Sequence, residues 1–430
     1  MQAVIMAGGK GTRLSSVITD IPKPMVPING KPLLEYQVEN LKEAGVTDII
    51  IVVGYLGHVI QNYFKDGKKY GLKITYFIEE MPLGTAGALK YLKKQLKDNF
   101  LLVFGDLFIN INFERFYKYH IEKKGLATLY AHPNSHPHDS DILIVNNEKR
   151  VLEWSYKNSI REKEYKNLVN AGVYVLNKDL LQYIPDIQKV DLEKHILGPN
   201  LEKIPVYAYS CTEYVKDIGT PERLYKVEKD LSNGVCKQRN LKNKQKCIFL
   251  DRDGTINCHV GFLRQPEQLN LEINVAKAIQ KINESEYLAV VVSNQPVIAR
   301  GECSFETMEK IHNRLETLLG KEGAYLDDIY YCPHHTDKGF EGEIPELKYD
   351  CNCRKPKIGM LEKAAGEHNI DLSQSWIIGD TTVDIMTGKN AKMRTALILT
   401  GEAGKDKKFD VTPDIVGNDL LNCLQQILKF

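Results

Sequence analysis

The stretch Cys247-Ile-Phe-Leu-Asp-Arg-Asp-Gly-Thr-Ile-Asn257 decides how this chain is organised. Its first four residues are apolar and of strand length, and they lead directly into two carboxylates, Asp251 and Asp253. More than half of the chain stands in front of this stretch. It opens with a different loop suited to phosphate, Ala7-Gly-Gly-Lys-Gly-Thr-Arg13. The sequence therefore predicts two active sites in one chain.

Composition restricts the class of protein. The chain of 430 residues has 57 basic and 56 acidic residues, so its net charge gives nucleic acid or an anionic membrane little to bind. Hydrophobic residues make up 43% of the chain, and the apolar runs are of strand length, far short of a membrane span. Because an apolar strand begins at residue 2, we expect no signal peptide and a cytoplasmic location. Small-molecule substrates are the expected partners, and a homo-oligomer is left open.

Two successive alternations of strands and helices predict two α/β domains, each a doubly wound sheet covered on both faces, and they predict a parallel sheet for the first domain. The first has strands at 2–7, 48–53, 73–78 and 101–106 and a helix at 33–44. The second has strands at 247–250, 288–293, 325–331, 375–379 and 395–399. Residues 232–246 contain no acid and little apolar material, which favours a solvated linker over a phosphate-binding arm. The predicted domains are therefore 1–231 and 247–430.

A set of separated motifs gives the first domain its chemistry. After the glycine loop come Ile21-Pro-Lys-Pro-Met25, Pro82-Leu-Gly-Thr-Ala-Gly87, Gly105-Asp106, Asn170-Ala-Gly-Val173 and Asp217-Ile-Gly-Thr-Pro221. In this order they resemble the sugar-1-phosphate nucleotidyltransferases, which have a Rossmann-like fold. In that reaction a sugar phosphate attacks the α-phosphorus of a nucleoside triphosphate and expels pyrophosphate. Bringing two polyanions together requires Mg²⁺ and fixed cationic side chains.

The resemblance implies a role for each motif residue. Asp106 and Asp217 would hold Mg²⁺, Arg13 the leaving phosphates and Lys23 the α-phosphate. Nucleotide binding would use Gly8, Gly9, Gly11, Thr12, Gly84, Thr85, Ala86 and Gly87, and the sugar pocket would use Asn170 and Gly172. The Leu-Gly-Thr-Ala-Gly form looks more like that of guanylyltransferases for mannose-type sugars than like that of thymidylyltransferases. This favours GTP as the nucleotide substrate.

Three assignments in this domain have alternatives. Asp217 could instead cap the helix that follows it. Lys157 matches the family's second lysine only weakly, because its neighbours depart from the usual Glu-Lys pair. The cluster His132, His136, His138, Asp139 and Asp141 predicts a loop on the substrate side rather than a metal site.

The second domain resembles the haloacid dehalogenase superfamily. The resemblance implies that Asp251 attacks phosphorus and that Asp253 is the acid and base. Asp251, Asp380 and the backbone carbonyl of Asp253 would hold Mg²⁺. Phosphate and substrate would be bound by Ser293, Asn294, Arg300, Arg354 and Lys355. The interval between Asp253 and Ser293 is too short for a large cap domain, so we expect a capless member.

The cysteines predict a metal site. None of the nine lies before Cys211, and three fall between positions 332 and 353, a distribution typical of a reducing compartment rather than a disulfide framework. Cys332, His334, Cys351 and Cys353 form a set suited to tetrahedral Zn²⁺. His335 adjoins His334 and is the less favoured ligand. A zinc-bound loop just before Arg354 and Lys355 would orient these two cations.

The motifs of the second domain also indicate which phosphatase it resembles. They are Asp251 to Asn257, Ser293-Asn-Gln295 with Ala299-Arg-Gly301, the four zinc ligands and Cys353-Arg-Lys-Pro356. They closely resemble the heptose 1,7-bisphosphate phosphatases, while histidinol-phosphate phosphatases share several of them. One departure is Thr381, where the heptose enzymes carry a basic residue. A heptose bisphosphatase fused to a nucleotidyltransferase would join consecutive steps, producing a nucleotide-activated D-glycero-D-manno-heptose, GDP-linked, for lipopolysaccharide or another surface glycan. The alternative is a transferase for another, mannose-like sugar 1-phosphate fused to a histidinol-phosphate-like phosphatase.

Overall fold

A computed structural model describes residues 1–9, 20–158, 161 and 163–429. It divides into two compact units. The first comprises Met1–His132, Leu143–Tyr156 and Asn170–Asn240, and the second comprises Pro133–Ile142, Lys157–Val169 and Leu241–Phe430. The second unit thus includes two segments that the predicted boundaries place in the first domain.

The first unit is built on one large sheet. Its strands and those near its boundary are β1 (Gln2–Ala7), β2 (Pro27–Ile28), β3 (Lys31–Pro32), β4 (Asp48–Val53), β5 (Lys73–Ile78), β6 (Asn99–Phe104), β7 (Leu107–Asn110), β8 (Ala127–His132), β9 (Ile142–Val145), β10 (Val151–Ser155), β11 (Val169–Asn177), β12 (Val206–Ser210) and β13 (Tyr214–Asp217). Its helices are α1 (Leu33–Glu43), α2 (Gly57–Phe64), α3 (Gly84–Leu92), α4 (Phe113–Lys123), α5 (Pro221–Ser232) and α6 (Val235–Gln238).

This sheet is mixed, whereas the alternation of elements predicts a parallel one. Its main path has the order β10-β9-β11-β6-β1-β4-β5, and β8 joins β11 to β12. Strands β6, β1, β4 and β5 run parallel, but β11 pairs antiparallel to β6. Among the described residues no α-helix lies between β8 and β11, and such short connections permit antiparallel pairing.

A second ladder positions the first site. Strand β13 pairs antiparallel with β7, and their register sets Asp217 opposite Leu107. Asp106 immediately precedes Leu107, and its carbonyl accepts a hydrogen bond from the Ile218 N–H at 3.3 Å. Two acids distant in sequence therefore lie side by side.

The second unit contains a six-stranded parallel sheet of the order β16-β15-β14-β17-β18-β19. These strands are β14 (Lys246–Leu250), β15 (Tyr287–Asn294), β16 (Asp328–Cys332), β17 (Trp376–Gly379), β18 (Arg394–Ile398) and β19 (Ile415–Gly417). The helices are α7 (Val275–Asn283), α8 (Phe305–Lys321), α9 (Gly359–His368), α10 (Thr382–Asn390) and α11 (Leu420–Leu428).

Side chains alternate between two cores on the faces of this sheet. Ile248 and Leu250 of β14 pack in a core that also contains residues of α7, α8 and α11. Cys247 and Phe249 point to the other face, where α9 covers them. Between Asp253 and Ser293 the chain forms one 3₁₀ turn, α7 and most of β15. The predicted doubly wound, capless domain is confirmed.

The predicted linker is partly structured. Cys236 belongs to a core cluster of the first unit, and Gln245 forms a bridge with Ile370 in the second. Within the described residues, none of the helices is long and apolar enough to cross a membrane.

Candidate active sites

A lysine joins the two acids of the first unit. Lys23 lies in a short 3₁₀ turn, Lys23–Met25, preceded by Pro22. Its Nζ donates hydrogen bonds to Asp106 Oδ2 at 2.8 Å and to Asp217 Oδ1 at 3.1 Å. Asp106 follows β6, so the acids lie at the carboxyl end of a parallel strand, where ligands commonly bind in α/β sheets. The ammonium group marks a point that two carboxylates share, which is where a cation fits.

Asp217 is not the cap of the next helix. Thr220 is the N-cap of α5, and its Oγ1 accepts a hydrogen bond from the Arg223 N–H at 3.4 Å. The guanidinium of Arg223 pairs with the second carboxylate oxygen of Asp217. Asp217 is therefore held between two cations.

The glycine motif at the start of α3 wraps around a neighbouring backbone segment. Gly84 has φ +87°, and a Cβ at this position would lie 2.3 Å from the Val190 carbonyl oxygen. Thr85 Oγ1 accepts a hydrogen bond from the Leu192 N–H at 2.7 Å, and the Ala86 N–H donates to Val190 O at 3.0 Å. A Cβ on Gly87 would meet Leu83. These contacts explain the motif without a nucleotide, so its predicted role in binding the base stays a prediction.

The first glycine loop is described only at its start. A Cβ on Gly8 would lie 2.2 Å from Glu79 Oε2, whereas a Cβ on Gly9 would have no atom of the described residues within 4 Å. Gly11, Thr12 and Arg13 lie outside the described residues.

Both residues predicted for the sugar pocket, Asn170 and Gly172, lie on β11, and Asn170 begins a chain of hydrogen bonds. Asn170 Nδ2 donates to the Tyr174 hydroxyl at 2.8 Å, and that hydroxyl donates to Glu193. Burial, together with the charge of Asp191, raises the pKa of Glu193 to about 7. Gly172 has φ +75° and a Cβ there would contact the Phe104 ring at 2.9 Å. Sequence reasoning missed Glu193, because a lone Asp-Leu-Glu carries no distinctive pattern.

The histidine-containing segment does not form a metal cluster in the described part of the chain. The acids of this segment bind Lys157 instead. Lys157 Nζ lies 3.3 Å from Asp139, and its N–H donates to Asp141 at 2.9 Å.

In the second unit a buried lysine bridges two acids. Lys355 Nζ lies 2.6 Å from Asp251 Oδ1 and 2.6 Å from Asp384 Oδ1. Burial raises the pKa of Asp251 to about 7, although the ammonium group opposes this shift. Asn294 fixes the lysine backbone, since its side chain exchanges hydrogen bonds with the N–H and carbonyl of Lys355 at 3.0 and 3.1 Å.

Asp380 completes an acidic trio with Asp251 and Asp384, whose ligand oxygens all lie within 4.8 Å of one another. One Asp380 oxygen accepts the Glu402 N–H at 2.7 Å, while the other is buried and accepts no hydrogen bond from any residue that the structure describes. Burial and the two neighbouring carboxylates raise the pKa of Asp380 to about 8. An orphaned oxygen among three acids fits a divalent cation. The sequence analysis gave Asp384 no role, although it follows Asp380 by four positions at the start of a helix.

Asp253 points into a different set of contacts. Its carboxylate accepts hydrogen bonds from the fully buried Arg252, from Gln295 at 2.7 Å and from Asn257 at 3.1 Å. Burial alone would raise its pKa, but the guanidinium and these donors outweigh burial and lower it. Asp253 is therefore ionised at neutral pH. In the described structure its side chain is not part of the acidic trio of Asp251, Asp380 and Asp384, and the sequence prediction assigned only its backbone carbonyl to the metal.

The acids line a cavity of about 210 Å³. Of the predicted phosphate and substrate ligands, Ser293, Asn294, Arg354 and Lys355 line it. Arg300 does not belong to this lining. Its guanidinium lies between the rings of Phe262 and Phe340, at 4.4 and 4.5 Å, and contacts His335.

Four soft ligands converge beside the cavity. The sulfurs of Cys332, Cys351 and Cys353 lie 3.2 to 3.4 Å apart, and His334 Nδ1 lies 3.2 Å from Cys353 Sγ. His334 Nε2 contacts the Tyr349 hydroxyl at 2.9 Å, which leaves Nδ1 as the ligand atom. Three thiols and an imidazole suit Zn²⁺.

His335 faces away from this cluster. Its Nδ1 accepts the Asp337 N–H at 3.2 Å. Arg354, which follows the last cysteine, donates from Nη1 to the His334 carbonyl at 3.1 Å. The cluster thus holds one of the cavity's cations.

Each unit therefore contains a site with acids and a lysine near strand ends, an arrangement typical of enzymes that transfer or hydrolyse phosphoryl groups. The chain belongs to the nucleotidyl transferase family, which it matches over residues 2–234, and residues 352–423 match the HAD-hydrolase-like family. The predicted transferase and hydrolase classes are confirmed.

Curated relatives cover both halves. The chain is 39% identical over 226 residues (52% of this chain, 97% of the relative) to the D-glycero-alpha-D-manno-heptose 1-phosphate guanylyltransferase of Campylobacter jejuni. It is 42% identical over 160 residues (37% of this chain, 84% of the relative) to the D-glycero-beta-D-manno-heptose-1,7-bisphosphate 7-phosphatase of Pasteurella multocida. It is 38% identical over 185 residues (43% of this chain, 98% of the relative) to the protein of the same name from Haemophilus ducreyi.

Proposed function

We propose that this chain is a bifunctional enzyme of heptose activation. One site removes the 7-phosphate of D-glycero-D-manno-heptose 1,7-bisphosphate, and the other transfers GMP from GTP to the resulting heptose 1-phosphate. The observation that supports this most is that one polypeptide carries both sites. The first contains Lys23, Asp106 and Asp217, and the second contains Asp251 and Lys355. Apart from the anomer, the relatives' names describe consecutive steps, since removal of the 7-phosphate leaves a heptose 1-phosphate, the kind of acceptor that the transferase is named for.

In the phosphatase, Asp251 is the proposed nucleophile. Its carboxylate oxygen forms a bond to phosphorus as the bond from phosphorus to the sugar oxygen breaks. Water then attacks the aspartyl phosphate, and the P–O bond to Asp251 breaks to release phosphate. Lys355 lies within hydrogen-bonding distance of Asp251 and compensates negative charge as it develops.

Asp253 is the proposed acid and base. Its ionised carboxylate suits removal of the proton from the attacking water. To protonate the leaving sugar oxygen, it must first gain a proton and leave the contacts with Arg252 and Gln295. Asp251, Asp380 and Asp384 would hold Mg²⁺, which supplies positive charge to the phosphoryl oxygens when bound.

In the transferase, Asp106 and Asp217 would hold Mg²⁺, which would supply positive charge to the phosphates. Lys23, which lies beside both acids, would bind the α-phosphate of the nucleotide. Asn170, with Tyr174 and Glu193 behind it, is the proposed sugar-binding side. These donors and acceptors match the hydroxyl groups of a sugar.

The test supplies the full chain with the α- or β-anomer of heptose 1,7-bisphosphate and with each nucleoside triphosphate in turn. The relatives differ in the anomer that their names give, alpha for the transferase and beta for the phosphatases. A consecutive enzyme needs one anomer for both steps, and we expect α. Phosphate followed by pyrophosphate, with GTP only, supports the proposal. No pyrophosphate from the α-anomer with GTP contradicts it.

A further inference from the structure

The cavity of the second unit has few cations that a substrate can reach. Its lining includes Arg354, Lys355 and Lys408, together with His259. Lys355 is engaged by two carboxylates, at 2.6 Å each. His259 contacts Glu402, an acid of the same lining, at 3.3 Å. Arg354 and Lys408 therefore remain as cations for a second charged group of a substrate.

Position 381 supplies no charge. Thr381, which directly follows Asp380, is the N-cap of α10. Its hydroxyl donates to Asp384 Oδ2 at 2.5 Å, and its N–H donates to the same oxygen at 3.2 Å. Thr381 orients an acid of the trio, so the cation must come from elsewhere.

The loop that carries Lys408 is fixed on both sides of it. Thr382 donates from its N–H and hydroxyl to Asp406 at 2.8 and 2.6 Å. The Phe409 N–H donates to Thr382 Oγ1 at 3.2 Å. Earlier in the loop, the Gly404 N–H donates to the Asp380 carbonyl at 2.7 Å. Lys408 lies between two anchored residues, and its exposed side chain lines the cavity.

We propose that Lys408, with Arg354, binds the phosphate of the substrate that the second unit does not remove. This inference rests on the proposed bisphosphate substrate. A phosphate on the far side of the sugar carries close to two negative charges, and the lining of the cavity already holds four aspartates. An exposed lysine in the same lining offsets that repulsion and orients the substrate so that the other phosphate reaches Asp251. Lys408 is thus a specificity-determining residue.

The test compares two substrates without nucleoside triphosphate, so that the transferase is silent. Phosphate release is followed from heptose 1,7-bisphosphate and from heptose 7-phosphate, which lacks the anomeric phosphate. In Lys408→Met, kcat/KM for the bisphosphate should fall about 10-fold more than for the monophosphate, mainly through KM. Lys408→Arg should restore most of the difference. Lys405→Met, an exposed lysine of the same loop outside the lining, is the matched control.

The outcomes separate this inference from the proposed function. Equal changes for both substrates, or no change in an active Lys408→Met variant, overturn the role of Lys408 and leave the phosphatase function standing. A wild-type chain that releases no phosphate from either anomer of the bisphosphate overturns both.

Discussion

The ammonium group of Lys355 donates a 2.6 Å hydrogen bond to the carboxylate of Asp251, and both side chains are buried. The same ammonium group also pairs with Asp384. A carboxylate in this setting is held in one orientation, and its partner cation is already in place to stabilise charge when phosphorus is attacked. Much of the proposed phosphatase chemistry depends on this contact.

Asp251→Asn should lower the rate of phosphate release from heptose 1,7-bisphosphate by about 10³-fold or more, because an amide oxygen is a poor nucleophile. Pyrophosphate release from heptose 1-phosphate and GTP should stay at the wild-type rate, since that reaction belongs to the first unit. Phosphate release that survives the substitution would show that another group is the nucleophile.

Lys355→Met should lower kcat for phosphate release by about 10²- to 10³-fold. It should also lower the free energy of unfolding by about 3–5 kcal/mol, because two buried carboxylates lose their partner. Denaturant unfolding and a phosphate assay measure the two effects. The control is Lys357→Met, which removes the exposed pair with Asp350 and should cost about 1 kcal/mol or less. Similar losses in both variants would argue against a special role for Lys355.

Lys23→Met should reduce nucleotidyl transfer by about 10²-fold or more, because it removes the cation proposed to bind the α-phosphate. The phosphatase rate should not change. Lys31→Met, which removes an ion pair with Glu39 on the same unit, serves as the control. Transfer at the wild-type rate in Lys23→Met would point to a regulatory nucleotide-binding role for the first unit.

Removal of the proposed zinc should destabilise the second unit. Cys353→Ser should contain less than one zinc per chain by elemental analysis and should unfold at a lower temperature than wild type. Cys258→Ser is the control, because Cys258 lies outside the four-ligand cluster and is also partly exposed. A wild-type chain with no bound zinc after purification without chelators would contradict the assignment.

Glu316 of α8 should make the stability of the second unit depend on pH. Burial, opposed by the charge of Lys166, raises its pKa from 4.5 to about 7. The folded state therefore holds a proton that the unfolded state has lost. Its contribution is fully present below pH 4.5 and is lost as the pH rises through about 7.

The size of this effect is on the order of 3 kcal/mol at most. Glu316→Gln should remove it while keeping an acceptor for the Asn167 N–H, which the carboxylate binds at 2.9 Å. The fall in Tm between pH 5 and pH 8 should then be smaller than in wild type. Glu306→Gln should leave the wild-type slope unchanged, because Glu306 is an exposed glutamate of the same helix and its ion pair with Lys310 lowers its pKa, so it stays ionised between pH 5 and pH 8. An unchanged slope in Glu316→Gln would refute the assignment.

Periodic apolar runs carried the strand predictions because a buried parallel strand must be apolar on both faces. The strand predicted at 288–293 is Tyr287–Asn294, and that at 375–379 is Trp376–Gly379. Such runs could not predict that β11 pairs antiparallel to β6, since parallel and antiparallel pairing place the same side chains on the same faces of the sheet. The same holds for Asp384. The sequence pattern of Thr381 and Asp384 can predict a helix cap, but only the fold places Asp384 against Lys355.

The sequence by itself determined that this chain has two α/β domains and which strand ends carry acids, because local patterns of burial and turns encode both. The tertiary structure alone decided which charges meet. Lys23 reaches acids 83 and 194 positions away, Lys355 reaches Asp251 from 104 positions away, and Lys408 joins the same cavity lining. Such contacts depend on strand order and loop paths, which arise from packing the whole sheet rather than from any local run of residues.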